Sequence, residues 1–161
     1  MPSPKLKKKA LSFSHLDAAG RVRMVPITEK PVVRRVAIAE GKLVCASETV
    51  RAIRSRALAK GDVLAVARIA AIQAAKRTDE LIPLCHGLPL EYVRVDFTLE
   101  AKGILIRAEA GVTARTGVEM EALTAVSVAA LTLYDMCKAV DKRMRIDRIR
   151  LVKKTKTPLP A

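Results

Sequence analysis

Aromatic side chains are nearly missing: they make up 2% of the 161 residues, with two Tyr, two Phe and no Trp. Proteins that hold single-stranded nucleic acid stack bases on such rings, so this chain is poorly equipped to read bases. Acidic residues are also scarce, 16 Asp and Glu against 30 Lys and Arg, for a net charge of +14. That balance points to anionic partners, and with so few rings it fits phosphate capture better than base reading. Long apolar runs are absent as well. The longest uncharged stretch, residues 122–134, is about 13 residues, short of the ~20 that span a bilayer, so no membrane role is expected. Cysteines number three, Cys45, Cys85 and Cys137, with no metal-ligand spacing. The odd count, and a basic N-terminus whose next apolar stretch is broken by His15 and Asp17, predict free thiols in a reducing cytoplasm. Neither a P-loop nor a glycine-rich dinucleotide fingerprint occurs. What remains is 50% hydrophobic and 29% charged, with 7 Gly and 8 Pro. Such a chain forms one domain with a real core, which excludes wholesale disorder and collagen-like repeats.

Residues 1–13 read as a flexible basic arm, 14–152 as a single domain, and 153–161 as a second basic, flexible tail. Within the domain, Val32 to Ala39 is rich in β-branched residues and predicts a strand. Ser47 is placed to cap a short helix reaching Arg56, with Val50, Ile53 and Ala57 on one side. Gly61 breaks the chain and Asp62 caps a second helix that ends near Arg77. Its apolar spacing runs through Val63, Val66, Ile69 and Ala70. Thr78 to Pro89 holds Pro83, Gly87 and Pro89 and reads mostly as loop. Val93, Val95, Phe97 and Leu99 alternate with polar residues. Ile104, Ile106, Ala108 and Ala110 do the same beyond the Lys102-Gly103 turn, so the pair is a hairpin. A long Ala-rich helix follows Gly117 to about Val140, and Met144 to Val152 alternates as a last strand. The order predicts an α+β fold of ferredoxin-like type, a split βαβ antiparallel sheet with helices on one face. The bare sheet face and the apolar long helix both suggest an oligomer.

Four groups of residues could carry chemistry. Glu119 and Glu121 sit at the start of the long helix, where acids can simply complement the helix dipole. Asp135 and Lys138 share a face three residues apart. They are either a surface ion pair or, in the apolar wall of Leu131, Leu133, Met136 and Val140, an acid-base couple with shifted pKa values. Cys85 and His86 stand in a rigid Pro83–Pro89 segment, either as a buried thiol and an exposed imidazole or as a substrate clamp. As neighbours on an extended chain they should point apart, which argues against a nucleophile couple, and no second ligand pair suggests a metal. Lys60, just before a helix N-terminus, is a loop lysine or a phosphate ligand, and Lys76 and Arg77 can simply satisfy the dipole at the other end of that helix. Finally, Glu121 and Asp135 are 14 residues apart on one helix, about 21 Å at ~1.5 Å per residue. One compact nucleotide would not bridge them, whereas an antiparallel copy of the helix across a two-fold axis would bring the two ends together.

Read together, several segments resemble one family. They are Ser14-His-Leu-Asp-Ala-Ala-Gly20, Lys60-Gly-Asp-Val-Leu-Ala-Val-Ala-Arg-Ile-Ala70, Ala74-Ala-Lys-Arg-Thr78, Leu81-Ile-Pro-Leu-Cys-His86, Thr116-Gly-Val-Glu-Met-Glu-Ala-Leu-Thr124 and Tyr134-Asp-Met-Cys-Lys-Ala-Val140. Between about Ser14 and Leu151 the chain is similar to molybdenum cofactor biosynthesis protein C (MoaC), the cyclic pyranopterin monophosphate synthases. The resemblance implies a ferredoxin-like subunit in a homohexamer, a trimer of dimers with sites at dimer interfaces. It implies a lyase without cofactor or metal that rearranges the 3′,8-cyclo-dihydro derivative of GTP to cyclic pyranopterin monophosphate and releases diphosphate. By the same resemblance Asp135 is the acid/base and Lys60 and Lys138 are essential lysines. Leu84, Cys85, His86, Met120 and Glu121 are substrate contacts, and Arg35, Lys76 and Lys154 are basic positions around the site. The chain departs from the family pattern at Pro26, at Gly87 where Pro is usual, at Asp147, and in its last residues from Thr155.

Two other readings compete. A diverged, weakly active or inactive family member would show little or no turnover of the cyclised GTP precursor. A basic ferredoxin-like RNA-binding module would need stacking residues on its sheet, where only Tyr92 and Phe97 are candidates and they differ in parity. Salt-titrated RNA binding would reveal it. No nucleic-acid partner is expected.

Overall fold

The computed structural model describes residues 14–17, 19–56 and 61–160. The elements run β1 (Val33–Val44), α1 (Ser47–Arg54), α2 (Val63–Lys76), α3 (Thr78–Leu81), β2 (Tyr92–Glu100), β3 (Gly103–Ala114), α4 (Glu119–Cys137) and β4 (Arg145–Thr157). The four strands form one antiparallel sheet in the order β2-β3-β1-β4. Each long crossover therefore skips one strand, which is the split βαβ arrangement of the predicted fold. Both long helices lie on one face. Ala37, Ala39 and Leu43 of β1, Ile104, Ile106 and Ala108 of β3, and Ala122, Ala125, Val126 and Ala129 of α4 make the core.

Small residues set how closely these layers approach. A Cβ on Gly41 would stand 2.7 Å from Val126 Cγ1, so α4 crosses β1 where there is no side chain. On α2 the buried side is Val63, Ala67, Ala71, Ala74 and Ala75, while Val66 and Ile69 are exposed. The expected apolar face is thus partly reversed. A seam of alanines lets α2 lie close to α4, and close packing outweighs the burial of two larger side chains. The opposite sheet face alternates Arg94, Asp96, Arg107, Glu109, Glu40 and Lys42 with fewer apolar residues. Lys42 pairs with Glu100 across it, so charged side chains occupy much of this face. Tyr92 lies on that face, bonded to Glu109 at 2.8 Å, whereas Phe97 packs toward the core under Arg68.

Several boundaries differ from expectation. β1 continues through Gly41 to Val44. β4 continues through Thr157, with Lys153 opposite Ile38 and Lys156 opposite Arg35, so residues 153–157 are strand and not a flexible tail. The ladder to β1 supplies backbone partners, and the lysines project into solvent where charge does not oppose pairing. Residues 158–160 lie beyond the strand, and the proposed arm, residues 1–13, is outside the described residues. Ala46, not Ser47, is the residue before α1, and α1 ends at Arg54 rather than Arg56. The N–H of Ala46 and the hydroxyl of Thr49 both donate to Asp141 Oδ2, at 2.7 and 3.1 Å, so a distant carboxylate does the work of a local cap. Asp62 caps α2 as expected, accepting from Ala65 N–H at 3.0 Å. Ala57, expected on α1, is outside the described residues. Residues 78–81 form a single helical turn where the sequence predicts mostly loop. By length and composition α4 could cross a membrane, but half of it is buried inside the domain, as befits a core helix.

Candidate active site

β3 delivers the chain to α4 through Arg115, Thr116, Gly117 and Val118. Glu119 folds back over this turn: a Cβ on Gly117 would lie 1.9 Å from its Oε2. Lys154 of β4 donates to Glu119 Oε1 at 3.0 Å. One helical turn in, Glu121 is 4% exposed and its Oε2 has no hydrogen-bond partner. Burial pushes its carboxyl from 4.5 up to about 7; its own backbone N–H opposes the shift, and the charges of Glu119 and Asp79 add to it. Complementing the helix dipole therefore does not account for Glu121, because a solvated acid would do that better.

Glu121 and Met120 form one wall of a cavity of about 330 Å³. Leu84, Cys85 and His86, from the segment after α3, form the second wall, with Leu88 beside them. Cys85 and His86 are both half-buried and both face the cavity, contrary to the expectation that neighbours would diverge. The bond from Cys85 N–H to Ile82 O, 3.0 Å, shows that the chain turns here instead of running extended. Burial, then the charges of Glu121 and Asp79, push the Cys85 thiol up, away from thiolate character. The third wall is Val25, Ile27 and Lys30, with Ser14 and His15 nearby. No partner for His15 is evident in the sequence. The signal for it was its place in the Ser14–Gly20 stretch, which no local pattern ties to a loop 70 residues away.

Arg35 and Lys154 line an adjoining depression of about 270 Å³ that shares Gly117 and Glu119 with the cavity. Arg35 spends Nε and Nη2 on the carbonyls of Ala114 and Arg115, both at 3.0 Å. Lys76, exposed at the end of α2, lines neither space. Lys60 is outside the described residues. Asp135 and Lys138 stand at the other end of α4, paired at 2.7 Å, with side chains 58% and 59% exposed. They do not lie in an apolar wall of this chain. The bond to Asp135, and then its charge, raise the Lys138 pKa. Among the described residues, no group of three or more His, Cys, Asp or Glu could hold a metal ion.

The split βαβ sheet, and a cavity with a buried carboxyl at the head of the core helix, define a small α+β enzyme. The MoaC family model matches residues 24–157. The cyclic pyranopterin monophosphate synthase of Chloroflexus aggregans is 61% identical over 144 residues, covering 88% of this chain and 87% of its own. That of Desulfatibacillum aliphaticivorans is 57% identical over 144 residues, 88% and 91% of the two chains. Cyclic pyranopterin monophosphate synthase 1 of Mycobacterium bovis is 56% identical over 147 residues, 91% and 86%. The chain belongs to the MoaC family.

Proposed function

We propose that this protein is a cyclic pyranopterin monophosphate synthase, a lyase of molybdenum cofactor biosynthesis. It converts the 3′,8-cyclo-dihydro derivative of GTP to cyclic pyranopterin monophosphate with release of diphosphate. The observation that carries the reading is the high identity to enzymes of that name along nearly the whole chain. The cavity's chemistry supports it. With its carboxyl pushed up to about 7 by burial, Glu121 can exchange a proton near neutral pH, so it can accept from a ring N–H or donate to a ring carbonyl. Met120, Leu84, Cys85 and His86 surround the same ring. Arg35 and Lys154 attract the phosphates, which compete with Glu119 for the Lys154 ammonium. Asp135 moves the protons of ring rearrangement, and Lys138 and Lys60 stabilise charge on the departing diphosphate. The enzyme acts in the cytoplasm.

The working site is built from two copies of the chain, in a homohexamer arranged as a trimer of dimers. Glu121 and Asp135 are ~21 Å apart along α4, too far for one nucleotide. Val66, Ile69, Leu131 and Val140 are large apolar side chains left exposed on and beside the two long helices and support burial against another copy. Asp135→Asn should abolish turnover of the cyclised precursor while the oligomer survives. Near-native turnover would refute the assignment. Mixing Asp135→Asn with Glu121→Ala subunits should restore activity, because a heterodimer holds one site with both native residues. If exchange is confirmed by mass and activity stays at the parents' level, the shared site is wrong.

A further inference from the structure

We infer that Arg115 is a positioning residue that clasps the segment 22–30 against the domain and so holds the third wall of the cavity. Its Nη1 donates to the carbonyls of Thr28 and of Lys30, the latter at 2.7 Å. Among the described residues these are the hydrogen bonds that tie residues 14–30 to the rest of the domain. The others close on themselves: Arg23 N–H to His15 O at 2.8 Å, Lys30 N–H to Ile27 O at 3.0 Å, and Asp17 with Arg21. Burial holds the segment weakly. Val22 is 70% exposed and Met24 is exposed too. Only Val25 and Ile27 are half-buried in this stretch, and both line the cavity. A segment with two inward side chains and no ladder to the sheet would open readily without the clasp.

The clasp is itself aimed. Arg35, anchored in β1, grips the carbonyls of Ala114 and Arg115 and fixes the backbone from which Arg115 reaches out. Thr116 and Gly117, the next two residues, also line the cavity, so a single turn carries both that lining and the tether of the opposite wall. Arg115 does not itself line the cavity. Its loss should weaken substrate binding and leave the chemistry at Asp135 intact.

This inference rests on the cavity being the substrate's, and the test keeps the two apart. Hydrogen exchange of the amides of 19–30 is compared in the native protein, Arg115→Ala and Arg115→Lys, and KM and kcat are measured for each. Arg115→Ala should speed exchange there about tenfold and raise KM about tenfold, with kcat within about twofold. Arg115→Lys, whose ammonium can reach one carbonyl, should recover part of both effects. Unchanged exchange would overturn the clasp. Faster exchange with unchanged KM, or a fall in kcat alone, would overturn the positioning role. Glu121→Gln is the control for the cavity. If it weakens substrate binding while Arg115→Ala does not, the clasp inference fails alone. If neither changes binding, the cavity reading fails with it.

Discussion

Glu121 sits where a charge is costly, and the cost can be measured. In the folded chain its carboxyl titrates at about 7 against an ordinary 4.5, chiefly because burial strips it of water. A folded-state pKa above the unfolded one means that the native state holds the proton longer. Stability from this group is therefore full below about 4.5 and is lost as pH rises through about 7. At ~1.4 kcal/mol per pKa unit the loss at high pH is about 3 kcal/mol. Glu121→Gln has no charge to bury, though its amide N–H groups inherit the lack of partners, so its absolute stability carries an offset of about 1–3 kcal/mol. The informative quantity is the difference between variant and parent as pH changes. Urea denaturation from pH 5 to pH 9 should show that difference moving by about 3 kcal/mol in the variant's favour, or about 6–12 °C in Tm for a chain this size. Parallel stability curves would refute the reasoning.

Asp141 should behave in the opposite sense. The backbone N–H of Ala46, above all, holds its carboxyl below the usual range, so its contribution is present above the unfolded pKa and lost as acid titrates the folded one. Asp141→Ala should cost about 1–3 kcal/mol at pH 7, with the difference from the parent shrinking at low pH in thermal melts. Gly41→Ala should cost about 1–3 kcal/mol by overpacking against Val126, read as a fall in urea midpoint with unchanged slope. Gly87→Ala brings a methyl within 2.8 Å of Asp79 Oδ2, an exposed side-chain end that can swing away. Stability should change by less than about 0.5 kcal/mol, and the Glu121 titration followed by carboxyl NMR should move down as that charge retreats.

The sheet was legible because its strands alternate cleanly: Val93 to Leu99 and Ile104 to Ala110 each present one apolar face. The crossover helices were legible from Asp62 and Gly61 at one start and Gly117 at the other. What escaped was decided by partners distant in sequence. β4 passes Val152 because β1 offers it hydrogen bonds as far as Arg34, and a run of lysines gives no sign of that. The alanine seam of α2 makes sense only once α4 lies beside it. At the site, the chemistry of Cys85, His86, Met120 and Glu121 was legible as motif, but their meeting in one cavity was not. The third wall escaped because its residues are ordinary in sequence and are recruited through Arg115, whose side chain spans 85 residues to Lys30.

The two ends of α4 are electrostatically unlike, and that difference bears on how the proposed site works. The Glu121 end is dry and its acid is strongly perturbed. The Asp135 end is wet, and an ion pair so exposed contributes about 1 kcal/mol or less. A solvated carboxylate makes a poor proton shuttle, because bulk water competes for the proton it should pass to substrate. In a single copy, then, Asp135 has the right chemistry in the wrong surroundings. Covering it with a second copy would supply both the dry surroundings and the missing contacts to substrate. Specific activity should consequently hold constant at high protein concentration and fall toward zero as dilution dissociates the assembly, with the midpoint matching that of the mass distribution measured in parallel. If dilute protein is monomeric by mass and retains full specific activity, one chain contains a complete site and Asp135 functions in water.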